Sequence, residues 1–201
     1  MSDVIKDGTG TNNLAKVDSN NRLTTLAVTV EAEQNAAHVG RAFILHARTH
    51  TSVASSGGLL YFKNTSDDRE FHVTRIYIDA HALSASLIIT QFINPTAVSG
   101  TDVSSTGIVQ KNFSSTVSAD GQLIISDASA DLTFTGGTEY HAFNIDSKDS
   151  RVRDMRLSNV IGPGDTFGLG FETYTGNAVD AEIISFSINL VDESANGTTG
   201  I

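Results

Sequence analysis

The chain has no cysteine and no tryptophan, only two prolines among its 201 residues, and a charged fraction of just 18%. Without cysteine there is no disulfide scaffold, no zinc ribbon and no thiol nucleophile, so the fold has to be held by core packing and assembly alone. No apolar run approaches the ~20 residues of a membrane-spanning helix. Residues 1–26 lack the apolar core of a secretory signal, which predicts a polypeptide made and folded in a cytoplasm. Basic residues are scarce as well: 13 Lys and Arg stand against 23 Asp and Glu, for a net charge of −10. The imbalance is local, with 8 basic and 9 acidic residues in 1–100 but 5 and 14 in 101–201. Nucleic acid requires concentrated positive charge, so a nucleic-acid partner is disfavoured.

What fills the gap is Ser, Thr, Asn and Gly, the last at 17 copies. That composition predicts a β-rich chain with many turns, of the extracellular or virion type rather than a helical enzyme. The length suits one domain with extensions. Residues 1–26 (MSDVIKDGTGTNNLAKVDSNNRLTTL) carry only scattered apolar residues, and neither a helical nor a strand period holds across them. Burying Val4, Ile5, Leu14, Val17 and Leu23 at ~1.5–3 kcal/mol each does not offset ordering the stretch at ~1–2 kcal/mol per residue. The segment therefore reads as an extended arm over 1–28, able to reach about 65 Å when stretched, that gains order by lying on a neighbour. A terminus with no role is the alternative.

Residues 30–39 (VEAEQNAAHV) predict one short helix, with Glu31 and Glu33 in the first turn and Gly40 as its stop. Strand signals follow. Residues 42–48 and 59–63 are apolar β-formers separated by the turn SSGG at 55–58. Residues 70–79 alternate, with Phe71, Val73, Ile76 and Ile78 inward and a register change near Thr74 and Arg75. The loop 64–70 predicts a hairpin between these strands. Further strands are expected at 86–93, ended by Asn94-Pro95, at 108–113, 123–126, 132–134 and 140–145. Residues 152–161 fit helix or strand. Gly162-Pro163-Gly164-Asp165 is a turn, and 166–173 and 182–191 are the final strands. Eight to ten strands at this spacing predict an all-β fold, a β-sandwich or jelly roll over 29–191, with a tail at 192–201.

Catalytic signatures are missing. There is no GxSxG elbow and no GxxxxGK[ST] loop, and Gly8-Thr9-Gly10 has the wrong context for a dinucleotide. The glycines of 162–170 are expected to make a turn and a thin backbone within a sheet. His46 and His50 sit four apart in β-type sequence and read as structural; the other histidines are scattered. Asp67/Asp68 and Asp127/Asp131 read as solvated turn residues rather than a paired acid and base. Arg151, Arg153 and Arg156, interleaved with Asp149 and Asp154, predict a surface ion-pair network or a dock for an acidic neighbour. Tyr61, Tyr77, Tyr140 and Tyr174 lie in or beside strands. No catalytic residue, metal ligand or cofactor is assigned.

Residues 6–23 (KDGTGTNNLAKVDSNNRL) resemble the N-terminal segment of a group of tailed-bacteriophage virion proteins, in which a "DGTG…AKVD…NRL" stretch precedes a short helix and a β-sandwich. Residues 59–78 resemble the paired strands of those proteins, 92–96 (FINPT) a strand end, and 161–190 a final hairpin. The resemblance implies a structural virion component, assembled in the host cytoplasm. Its leading form is a capsid decoration (cement) protein, a homo-oligomer of trimeric type. Its partner would be the major capsid protein or another virion protein, with neither nucleic acid nor membrane. The candidate partner-binding residues are Val4, Ile5, Leu14, Val17, Arg22 and Leu23. The alternative is a tail, neck or head-fibre module that binds a host receptor or glycan through the 95–135 loops; an enzyme is the third reading.

Overall fold

A computed structural model describes residues 5–6, 14–17, 23–24, 32–51, 54–80, 83, 85–146, 153–174 and 183–194. The chain divides into two compact units, Met1–Glu31 and Ala32–Ile201. Taken by itself, the first unit is a small antiparallel sheet of β1 (Ile5–Lys6), β2 (Leu14–Val17) and β3 (Leu23–Thr24), in the order β1-β2-β3. Strands of two to four residues are too short to show a period, which is why the sequence shows none there.

The second unit is almost entirely β. It opens with helix α1 (Ala32–His38). The Arg41 N–H donates to the Ala36 carbonyl and the Gly40 N–H to that of Ala37, while Gly40 takes φ +76°. This is a Schellman stop, and it places glycine where the sequence predicts it.

One sheet has five strands in the order β10-β4-β16-β6-β14: β4 is Ala42–His50, β6 Arg69–Ala80, β10 Ile108–Gln110, β14 Arg153–Ile161 and β16 Ile183–Ser194. The other has six in the order β13-β7-β15-β5-β11-β9: β5 is Ser56–Asn64, β7 Leu87–Ile93, β9 Thr101–Asp102, β11 Gly121–Ile125, β13 Thr138–Ile145 and β15 Thr166–Thr173. A two-stranded piece joins β8 (Thr96–Ala97) to β12 (Phe134–Thr135), and the single turn α2 (Ser104–Gly107) leads from β9 to β10. All pairings are antiparallel.

Both large sheets contribute to a single apolar cluster. Phe43, Leu45, Val73, Ile76, Phe186 and Ile188 come from the first, and Leu60, Phe62, Leu87, Ile89, Leu123 and Leu169 from the second. Phe71 sits edge-on against Phe62 at 5.4 Å between ring centroids, an aromatic contact that links strands of different sheets. The alternation of β6 breaks where the sequence places the break: Phe71, Val73, Ile76 and Ile78 are all buried. Val73 pairs with Leu190 and Arg75 with Asn189, leaving Thr74 as the extra residue of a bulge.

Five expectations need correction. The described residues form sixteen strands rather than eight to ten; the excess is in pieces of two to four residues that carry no periodic signal. Residues 64–70 do not close a hairpin, because β5 and β6 belong to different sheets. They form a crossover, fixed by the buried Asn64, whose amide donates to the carbonyls of Arg69 (2.7 Å) and Ile161 (3.0 Å). For the same reason the last two strands, β15 and β16, are not a hairpin. Ser56, Gly57 and Gly58 lie within β5 instead of a turn. Finally, β16 runs on through Ser194, so Asp192 is a buried strand residue bonded to Arg69 at 2.9 Å rather than the start of a tail. Residues 152–161, open between helix and strand, contribute β14.

Candidate functional site

Of the six candidate arm residues, Val4 and Arg22 lie outside the described residues. The register of the first unit sets Ile5 opposite Ala15 and Val17 opposite Leu23. Positions 15 and 17 are two apart on β2, so Ile5, Ala15, Val17 and Leu23 occupy positions of one face. Leu14 occupies the other, opposite Lys6.

In the second unit, the helix end meets the connection after β10. Asn112 donates its amide to the His38 carbonyl at 3.1 Å, and Gln110 donates to the Gly40 carbonyl at 2.8 Å and to Ser115 Oγ at 3.0 Å. Glu33 of α1 accepts from Thr74 Oγ1 at 3.2 Å and from the Asn189 amide at 3.1 Å, and pairs with Lys111. This acidic residue of the first turn is thus an anchor to the sheet as well as a complement to the helix dipole. The two tied segments leave apolar side chains bare: Phe113 is 94% exposed, Val39 55% and Val117 48%. Single exposed apolar residues are ordinary, but three of them, one a nearly bare Phe, on segments that hydrogen bonds hold together are candidates for a surface that a partner covers.

A second feature lies on the outward face of the six-stranded sheet. The inward residues of β15 are Phe167, Leu169 and Phe171; the outward ones include Gly168 and Gly170. A methyl group at Gly170 would meet the Phe92 ring at 2.9 Å, and one at Gly168 would meet the Phe134 ring and Pro95, each at 3.0 Å. The glycines let two rings, 5.5 Å apart between centroids, lie down on the sheet. They bear out the expectation of a thin backbone, as Gly164 (φ +78°) bears out the turn before it. Beside the rings opens a groove of about 430 Å³, lined also by Ser56, Thr90, Thr133, Glu139 and Glu172. Among the described residues no basic side chain lines it. Rings, hydroxyls and carboxylates without a cation suit a neutral or cationic ligand and reject an anionic one.

A third feature is β13, an edge strand whose residues from Thr138 to Ala142 are all exposed. Tyr140 is the extra residue of a bulge, and its hydroxyl donates to Asn159 Oδ1 of β14 at 2.6 Å. A bulge at a free edge discourages uncontrolled strand addition.

The other sequence candidates resolve into structural roles. His46 faces Ser187 Oγ at 3.3 Å on the neighbouring strand. Burial pushes the Asp127 carboxyl up, but the N–H groups of Ser129 and Ala130 outweigh it and leave it below the usual carboxylate range. Asp68 accepts from Ser66 Oγ within its own turn. Asp154 grips Arg75 of β6 through two hydrogen bonds, which raise the arginine and lower the aspartate. What the structure shows here is one of the interleaved acids, Asp154 of β14, paired with Arg75 of β6, which lies outside the cluster Arg151, Arg153 and Arg156 and is also stacked 4.5 Å from the Tyr77 ring centre. Asp149 and Arg151 lie outside the described residues. Sequence reasoning missed Phe113, Val39 and the groove residues, because each becomes notable only through its exposure or cross-strand register. The Gly168/Gly170 spacing was the one available signal for the groove.

The class that the fold defines is an all-β protein of several antiparallel sheets, with two short helices among the described residues. Comparison with protein-family models, curated proteins and solved structures gave no match.

Proposed function

We propose that this chain is a structural component of a tailed-phage virion, and specifically a capsid decoration protein. In this reading the two large sheets form a β-sandwich of jelly-roll type, the subunits associate as trimers, and the N-terminal unit lies on the major capsid protein or a neighbouring copy. The observation that carries the reading is the exposure of three apolar side chains, Phe113, Val39 and Val117, on segments that hydrogen bonds tie to the helix end. The resemblance of residues 6–23 to virion arms adds to it, as does the apolar face set up by the register of Ile5, Val17 and Leu23. A net charge of −10 keeps such a subunit soluble until a specific surface captures it.

The test is cosedimentation with heads that lack the protein. The full chain is expected to bind and to raise the temperature at which heads release DNA. Deletion of residues 1–25 and, separately, Phe113→Ser should each leave a folded domain that no longer binds at full occupancy. Full binding by both variants overturns the proposal.

The groove supports a second reading, a module that binds a host glycan. Sugar C–H faces stack on rings and sugar hydroxyls donate to carboxylates, and the groove offers both. Specific glycan binding by the full chain, lost on Phe134→Ala, would favour this reading.

A further inference from the structure

We propose that Glu70, His72 and Glu193 form a binding site for a divalent transition-metal ion of the zinc type, on the outward face of the five-stranded sheet. The inference is independent of the virion reading. Glu70 and His72 are two apart on β6, flanking the buried Phe71, so both project outward. Glu193 is the register partner of Glu70 on β16 and follows the buried Asp192, which sets it on the same face. One ligand atom from each of the three lies within 4.8 Å of the others. His72 Nε2 stands 2.8 Å from Glu70 Oε1 and 3.6 Å from Glu193 Oε2. Those distances bracket the ~3.3 Å that separates two ligands of a tetrahedral zinc with bonds of ~2.0–2.1 Å. Small rotations of three side chains, with the strands fixed, would bring all three into one coordination sphere.

The charge pattern points to a cation independently of these distances. Two carboxylates directly opposite each other on neighbouring strands repel. A sheet normally offsets that with a Lys or Arg, yet among the described residues neither Glu70 nor Glu193 pairs with one. Arg69, next in the chain, faces the other side and is committed to Asp192. What the two carboxylates share is an imidazole, which is itself a metal ligand when neutral. One imidazole nitrogen with two carboxylate oxygens suits a borderline ion such as Zn²⁺ better than Ca²⁺ or Mg²⁺, which prefer all-oxygen shells. The side chains are 27% to 42% exposed, which leaves coordination positions open to solvent.

Isothermal titration of the chelator-treated full chain with ZnCl₂ tests this. The expected result is one saturable site per chain, weakened at least about tenfold by Glu193→Gln and by His72→Gln, and not displaced by excess Mg²⁺. Zinc should also raise the melting temperature of the wild type but not of Glu193→Gln. That variant replaces one oxygen on a half-exposed side chain, so it decides the matter if His72→Gln fails to fold. The absence of saturable binding, or wild-type affinity in a folded variant, overturns the proposal.

Discussion

Replacing Gln91 with methionine should stabilise the protein. Gln91 lies on β7 between Leu169 of β15 and His141 of β13, facing the apolar interior. It is fully buried, and neither its amide nitrogen nor its amide oxygen has a hydrogen-bond partner. A buried polar group left unmatched costs ~1–3 kcal/mol, and Gln91 contributes two such atoms. Methionine has the same unbranched reach and no polar group to desolvate, so it keeps the packing of the Leu169 row and removes the penalty. We expect Gln91→Met to gain about 1–3 kcal/mol, with each kcal/mol raising the melting temperature by about 2–4 °C in a domain of this size. Urea denaturation should show a higher midpoint with an unchanged slope. A lower midpoint would refute the reasoning, because it would mean that the amide is hydrogen-bonded in solution and contributes to the fold.

Three other outcomes follow from named contacts. Asn64→Ala removes the side chain that donates to Arg69 and Ile161 and accepts from the Ser66 N–H; about 2–4 kcal/mol should be lost in the same denaturation assay. In Gly58→Ala the added methyl would sit 2.7 Å from Leu132 Cγ and 2.9 Å from the Leu132 carbonyl oxygen; overpacking should cost about 1–3 kcal/mol and increase amide exchange at Val98 and Thr135, where the β8–β12 piece walls the groove. Hydrogen bonds from the Ser104 hydroxyl and N–H, then from Gln122, hold the Asp102 carboxyl below its usual value of 3.8. A lowered folded value contributes stability above the unfolded value that is lost as pH falls through the folded one. Asp102→Ala should therefore be less stable than the wild type at pH 6, and the gap should close as unfolding midpoints are followed below pH 4.

How much of this was legible depended on distance along the chain. The stop at Gly40, the bulge at Thr74 and the turn at Gly164 are set by residues within a few positions of one another, and each stands where the sequence places it. Strand pairing is another matter. The run NTSDDRE has the polarity of a hairpin loop, and only the interior position of Asn64, holding carbonyls from residues 69 and 161, shows that the chain changes sheets there. The same limit hid the candidate sites. Glu70 and Glu193 are 123 residues apart and meet only through the register of β6 and β16. Phe113 reads in sequence as one more apolar β-former, and its exposure is fixed by Asn112 and Gln110 bonding back to the helix end. The short strands of the first unit were unreadable because a strand of two residues has no period to detect.

Cryo-electron microscopy of particles of the proposed phage, produced with this protein, tests the central claim most directly. The account predicts copies of the all-β domain at regular positions on the capsid lattice, with residues 1–31 laid against another subunit and Phe113 covered. Particles in which the protein occurs only at a tail or fibre tip, or from which it is missing, would contradict it.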